Sequence, residues 1–266
     1  MNTLAKVINV KGIGLHTGRL VQVKMYAHEY KCIHFVRTDR NDVPIVAERH
    51  CVLQTNLCTK IGSSHSNCVS TVEHLMAALT LNGIEKVRIE LSGEEVPILD
   101  GSAIIWSRMI EDAIDREDKK DREDKKANRK RQSQSMKLVQ RVDSFVLLWA
   151  HQDTQIHASI EFGAWYESYH YTGQKEQILG ARSFVLEEWI EALKQNDRIL
   201  GAQLTNGLVK TNKGWRNGPL RWENEAARHK VLDLIGDLSL AHLSQKHMMI
   251  SYKSGHSLHI AMTQII

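Results

Sequence analysis

The stretch DREDKKDREDKKANRKRQSQS, residues 115–135, repeats one charged hexapeptide in tandem and then continues with no apolar residue able to pack into a core. A segment of this kind buries too little surface to offset the entropy of ordering it. It divides the 266-residue chain into a front part of about 110 residues and a back part of about 130, each of domain size. The expected organisation is a first domain over 1–114, a charged linker over 115–136 and a second domain over 137–266.

Working outward, the linker also accounts for most of the net charge. Residues 115–131 hold nine basic and six acidic side chains, an excess of three out of the chain's +4. An excess confined to one mixed-sign segment marks a solvated connection rather than a phosphate-tracking surface, so no nucleic-acid partner is expected. The N-terminus, MNTLAKVINV, lacks a basic stretch leading into an apolar run, and the best apolar run, Phe145 to Ala150, is too short to span a bilayer. A cytoplasmic protein is expected, with at most peripheral membrane association and as a monomer. Cys32, Cys51, Cys58 and Cys68 form no CxxC pair and read as reduced structural thiols.

Within the front part, Leu20 to Met25 and Lys86 to Leu91 alternate or nearly alternate apolar with polar residues, as half-buried strands do. Between them Val72, Leu75, Met76 and Leu79 follow helical spacing, with Ser70 available as N-cap and Gly83 just past the end. The back part reads as strands from Leu138 to Phe162, a helix around Phe184 to Lys194, a second from about Glu223 to Leu243, and a strand over Met248 to Tyr252. Strands and helices are mixed without clean βαβ alternation, which predicts an α+β fold rather than a doubly wound parallel sheet.

Fourteen histidines make any single one weak as a marker, and spacing lifts only a few above the rest. On a helix, His229, Asp233 and Asp237 fall on one face at successive i, i+4 steps. A neutral imidazole and a carboxylate held at that spacing suit a divalent metal, although a helix-surface ion pair explains the same spacing. Glu73 and His74 diverge by about 100° on their helix, so they would border one site in different roles, His74 as a ligand and Glu73 as a general base. Ser70 and Glu73 equally fit an S-x-x-E capping box. His256 follows Gly255 at a strand-to-helix turn, where it is either close to a ligand or an exposed loop residue.

Six segments, KGIGLHTG (11–18), FVRTD (35–39), TVEHLMAAL (71–79), VPILDGSA (96–103), RHKVLDLIGDL (228–238) and YKSGHSL (252–258), occur in an order that resembles the UDP-3-O-acyl-N-acetylglucosamine deacetylases over nearly the whole chain. These are zinc enzymes of the committed step of lipid A synthesis in Gram-negative bacteria. The resemblance implies two similar α+β domains, each a sheet layered with helices, the helices facing inward around an active site between the domains. It implies one Zn2+ per chain on His74, His229 and Asp233, with Fe2+ as an alternative ion, and an acylated UDP-sugar as substrate.

The same resemblance assigns roles to further residues. Glu73 takes the proton of the attacking water, Ser183 donates a hydroxyl, His256 protonates the leaving amine, and Asp237 orients His256. Lys230 is assigned to the diphosphate, Phe184 to the acyl passage, and Glu161 and Phe162 to uridine. The chain departs from the family pattern at several places. Serine stands at 183 where threonine is usual, Ala202 and Thr205 replace a glycine and an acidic residue, and no histidine-proline follows Phe162. A binding protein with weak catalysis, or a hydrolase of another N-acyl sugar, is the alternative these departures leave open.

Overall fold

Alternating residues in Leu20–Tyr26 place Val21, Val23 and Met25 on one buried face, and Val87, Ile89 and Leu91 do the same in Val87–Leu91. The computed structural model describes residues 2–29, 32–40, 43–114, 135–243 and 246–266, so most of the charged linker, including both DREDKK repeats, lies outside the described residues.

The front sheet consists of β1 (Ile8–Ile13), β2 (Leu20–Tyr26), β3 (Ile33–Arg37), β4 (Ile45–Val46) and β8 (Val87–Leu91), ordered β1-β2-β8-β3-β4. Only β3 and β8 pair in parallel. In the back half, β9 (Lys137–Arg141), β10 (Ser144–Ala150), β11 (Gln155–Phe162), β12 (Trp165–Tyr171) and β16 (His247–Tyr252) are ordered β9-β10-β16-β11-β12, with only β11 and β16 parallel. Both sheets thus insert their last strand between the second and third, in the same sense.

The insertions repeat as well. A small sheet of β5 (Val52–Gln54), β6 (Lys60–Gly62) and β7 (Cys68–Val69) precedes α1 (Glu73–Leu81), and one of β13 (Phe184–Leu186), β14 (Leu208–Thr211) and β15 (Gly214–Trp215) precedes α4 (Glu225–Ser239). A further helix follows each last strand, α2 (Ile104–Ala113) in front and α5 (His256–Thr263) behind, while α3 (Ile190–Gln195) belongs to the back half alone. A parallel pair requires a crossover connection, which is why α1 and α4 occupy equivalent places. The fold is α+β, as expected.

These two crossover helices pack on each other. Leu232 of α4, Leu240 just past its end and Ile260 of α5 join the core under the front sheet, while Leu81 and Ile235 pack against the core under the back sheet. With neighbours on both sides, α1 buries every residue from Glu73 to Leu79. The closest point is Gly236, where a Cβ would lie 2.1 Å from the backbone oxygen of Glu73 and 2.8 Å from its carbonyl carbon. Only glycine lets the two backbones meet at this distance.

Two local expectations are corrected. Ser70 does not cap α1: it bridges to Glu95, its hydroxyl donates to the Glu94 carbonyl, and Thr71 at φ 58 turns the chain before the helix begins at Glu73. Glu73 accordingly closes no capping box. The helix expected around Phe184 to Lys194 begins only at Ile190, because Phe184–Leu186 pairs in parallel with β14 and a single 3-10 turn intervenes.

Gly236→Ala should force α4 off the first turn of α1 and lower the unfolding free energy by about 2 kcal/mol. Urea denaturation followed by circular dichroism measures this, and an unchanged midpoint would show that the contact has slack.

Candidate metal centre and active site

The close approach at Gly236 sets the first turn of α1 against the middle of α4. Ligand atoms of His74, His229 and Asp233 there lie within 4.8 Å of one another, all three residues buried. Nδ1 of His229 lies 3.0 Å from the Ala181 carbonyl, which can only accept, so Nδ1 carries the proton and Nε2 keeps a lone pair. Burial pulls the pKa of His229 down to about 4, leaving the ring neutral at pH 7 despite Asp233.

Nε2 of His229 therefore faces Oδ1 of Asp233 at 3.3 Å with a lone pair on each, and Oδ1 is buried without a hydrogen-bond partner. Nε2 of His74 is 3.7 Å from the same oxygen. Two imidazoles and an orphaned carboxylate oxygen fit a divalent cation, and the His229 to carbonyl bond is the outer support that metal-binding histidines usually have. The other oxygen of Asp233, Oδ2, accepts from Lys230 Nζ at 2.9 Å.

Across the same space stands a proton-handling group. Oε2 of Glu73 accepts from the backbone N–H of Thr59 at 3.1 Å, while Oε1 faces His256 Nε2 at 3.8 Å. Burial raises the pKa of Glu73, with His256 and His74 opposing. For His256, burial disfavours the charged form, but Asp237 and then Glu73 outweigh it and raise the pKa to about 9. Nδ1 of His256 donates to Asp237 Oδ2 at 2.8 Å, and Asp237, though fully buried, is held near a pKa of about 2 by its donors.

A cavity of about 590 Å3 reaches all of these groups except Asp237, and is bordered also by Ser183, Lys230, Phe184, Glu161 and Phe162. Ser183 Oγ lies 3.3 Å from His229 Nε2, and Phe184 stands edge-on to the His229 ring. Phe162 packs with Trp165, Phe184 and Trp189, and Glu161 accepts from the Tyr252 hydroxyl. Every site residue expected from the sequence is thus brought to one cavity or directly behind it. Of the departures, Ala202 lines an adjoining cavity of about 410 Å3, and Thr205 is exposed.

Other residues at the site carried no assignment. Thr59 donates through its backbone N–H to Glu73, on the next helix, and through its hydroxyl to Asp237 of α4, and nothing in its neighbourhood in sequence signals the second contact. His16 borders the cavity with neither ring nitrogen hydrogen-bonded, and sits in the KGIGLHTG segment. Its loop is held by Glu95, whose carboxylate accepts from the backbone N–H groups of His16 and Thr17 and from the Thr71 hydroxyl. His259 lies one helical turn beyond His256, a spacing visible in SGHSLH.

The model of the family described as LpxC, UDP-3-O-acyl N-acetylglycosamine deacetylase, matches residues 1–266. A UDP-3-O-acyl-N-acetylglucosamine deacetylase of Trichormus variabilis is 36% identical over 279 residues, covering 100% of this chain and 97% of that protein. The protein of that name in Leptospira biflexa is 30% identical over 289 residues, 99% of this chain and 88% of its own. In Arabidopsis thaliana, a probable UDP-3-O-acyl-N-acetylglucosamine deacetylase 1, mitochondrial, is 32% identical over 284 residues, 97% of this chain and 85% of its own. Matched from its first residue to its last, and similar along most of the length of bacterial and plant proteins alike, the chain belongs to the UDP-3-O-acyl N-acetylglycosamine deacetylase family.

Proposed function

We propose that the chain hydrolyses the acetamide of UDP-3-O-(3-hydroxyacyl)-N-acetylglucosamine, releasing acetate at the committed step of lipid A biosynthesis. The observation that carries this is the convergence, at one cavity between α1 and α4, of three metal donors with a carboxylate and an imidazole poised 3.8 Å apart. His74, His229 and Asp233 hold the ion, for which we propose zinc, one per chain, with iron(II) as the other ion this donor set accepts. When bound, the ion supplies Lewis acidity, making water a better nucleophile and sharing the charge that develops on the carbonyl oxygen.

The protein's own groups move the protons. Oε1 of Glu73 takes a proton from the attacking water as the new O–C bond forms at the acetamide carbonyl, and its raised pKa makes it a stronger base. His256 gives the proton on Nε2 to the amide nitrogen, so that the C–N bond breaks with a neutral amine leaving. The Ser183 hydroxyl, 3.3 Å from His229 Nε2, would donate to the developing oxyanion if that nitrogen held the ion. Lys230, anchored on Asp233 Oδ2, presents its charge at the cavity wall, where the diphosphate is proposed to lie. Leu15, Leu57, Trp189, Leu193 and Leu204 line the adjoining cavity beside Phe184, a suitable apolar passage for the acyl chain. Glu161 and Phe162 are proposed for uridine.

The full set of chemical residues supports an active enzyme over a protein that only binds lipid, since the departures at Ala202 and Thr205 fall outside the proton-handling groups. We place the enzyme in the cytoplasm and acting as a monomer; no helix among the described residues is long and apolar enough to cross a membrane. The Arabidopsis relative's name carries a mitochondrial label, so the compartment differs within the family.

Three measurements test these assignments. Metal analysis of the purified protein should find about one divalent ion per chain, and Asp233→Ala should lose it. Acetate release from the acylated UDP-sugar should fall roughly a hundredfold in Glu73→Gln and in His256→Ala; wild-type turnover in both would sink the acid and base roles. His256 must be charged to act, so activity should be present at neutral pH and disappear as pH rises through its pKa, at or below about 9 once a cation sits nearby. Asp237→Asn removes the largest influence raising that pKa and should move the basic limb to lower pH.

A further inference from the structure

Asp237 is held on both of its oxygens. Its side chain is completely buried, Oδ1 accepts from the Thr59 hydroxyl at 2.5 Å, and Oδ2 accepts from two imidazoles, His256 at 2.8 Å and His259 at 2.7 Å. The last of these is itself fully buried and sits three residues beyond His256 on α5, where both rings point at α4.

The direction of each hydrogen bond around His259 follows from the carboxylate. Asp237 can only accept, so Nδ1 of His259 carries a proton. Burial lowers the pKa of this histidine, leaving it neutral with a lone pair on Nε2. That lone pair accepts from the Ser254 hydroxyl at 2.8 Å, and Ser254 in turn accepts from the Ser251 hydroxyl at 2.5 Å. The chain Ser251 to Ser254 to His259 to Asp237 therefore runs in one sense, with every donor matched to an acceptor inside the protein.

The two imidazoles on Oδ2 differ in what lies behind them. His259 has a hydroxyl donor at Nε2 and so cannot take a second proton without breaking that bond. His256 has at Nε2 only the cavity and the Glu73 carboxylate, 3.8 Å away. Asp233 adds to the negative field around His256, while His16 and the charge of Lys230 oppose protonation of His256 and of His259 respectively. The proton that can be given away accordingly resides on His256, and the neighbouring ring serves as a fixed donor.

We infer that His259 is a positioning residue: by donating Nδ1–H to Asp237 Oδ2, with Thr59 holding Oδ1, it keeps the carboxylate in the orientation that aims His256 at the leaving nitrogen. The inference rests on the deacetylase reading for the role of His256, but the hydrogen-bond arrangement can be measured independently of turnover.

The experiment compares His259→Asn, His259→Leu and Thr59→Val. Asparagine places an amide N–H where Nδ1 stood and leaves Nε2 unreplaced; leucine keeps bulk but no donor; valine keeps the shape of Thr59 without its hydroxyl. Expected is a fall in kcat of roughly tenfold or more for His259→Leu and for Thr59→Val with KM within about twofold, while His259→Asn stays within about threefold of wild type. In proton NMR of the metal-free protein, the low-field Nδ1 proton of His256 should persist in wild type and His259→Asn and be lost to exchange in His259→Leu. Equal losses in the asparagine and leucine variants, or wild-type kcat in the leucine variant, would overturn the inference. Should His259→Leu fail to fold, the kcat of Thr59→Val decides in the same way. A wild-type protein that shows the NMR pattern but releases no acetate would refute the deacetylase reading and leave the positioning role standing.

Discussion

Everything at this site depends on how closely α4 can lie against the first turn of α1. The backbone of Gly236 sits where any side chain would strike the Glu73 carbonyl, so the two helices meet through main chain rather than side chain. That contact carries His74 to within ligand distance of His229 and Asp233, and sets Glu73 opposite His256. The price is a helix interface holding Glu73, His74, His229, Asp233 and Asp237, all buried, where apolar side chains would pack with less desolvation. Around them the interface is otherwise apolar, drawn from both halves.

Three carboxylates in so small a volume would ordinarily hold one another protonated, and their partners decide how they differ. Asp237 receives three hydrogen bonds and stays ionised, with a pKa of about 2. Asp233 is neutralised on one oxygen by Lys230 and keeps the other bare toward the imidazoles. Glu73 has one backbone donor, and burial moves its pKa upward. Pairs of like groups pushed apart by their surroundings mark acid, base and ligand roles in one site. Here the separation is produced by the charged and hydrogen-bonding partners each carboxylate meets more than by depth, since all three are almost equally enclosed.

How much of this was legible in the sequence depends on the distance over which each feature is encoded. The register of His229, Asp233 and Asp237 is local to one helix and was readable from spacing, as were β2, β8 and β16. The start of α1 was not, because the S-x-x-E pattern competes with a β-bridge from Ser70 to Glu95 that only the tertiary fold creates. Phe184–Leu186 reads as helical because its parallel partner, β14, lies 24 residues on, counting from the pairing of Phe184 with Leu208, and contributes nothing to local periodicity. His74 is a candidate ligand from its place beside Glu73, and the family resemblance joins it to His229 and Asp233; Thr59 and His259 carry no assignment. For Thr59, the hydroxyl's partner, Asp237, is reached across the fold.

A site built from two halves raises the question of what keeps its donors in place when no ion binds them. Several contacts between the halves lie well away from the donors. Arg49 donates to the Thr263 and Ile266 carbonyls, Lys175 bridges Asn82 and Glu111, and Arg221 pairs with Asp100 at 2.8 Å. The backbone N–H of Ser183 donates to the Gly101 carbonyl, and the loop from Leu200 to Gly201 donates to the carbonyls of His16 and Leu15. With the halves docked by these bonds and by the shared apolar interface, the geometry of His74 relative to His229 and Asp233 is set by packing. Ion binding then repays little reorganisation, and the same rigidity fixes Glu73 and His256 at the separation their proton transfers require. Duplicating one crossover topology and facing the two crossover helices toward each other therefore yields a preorganised cleft, into which each half projects donors that it does not bring together alone.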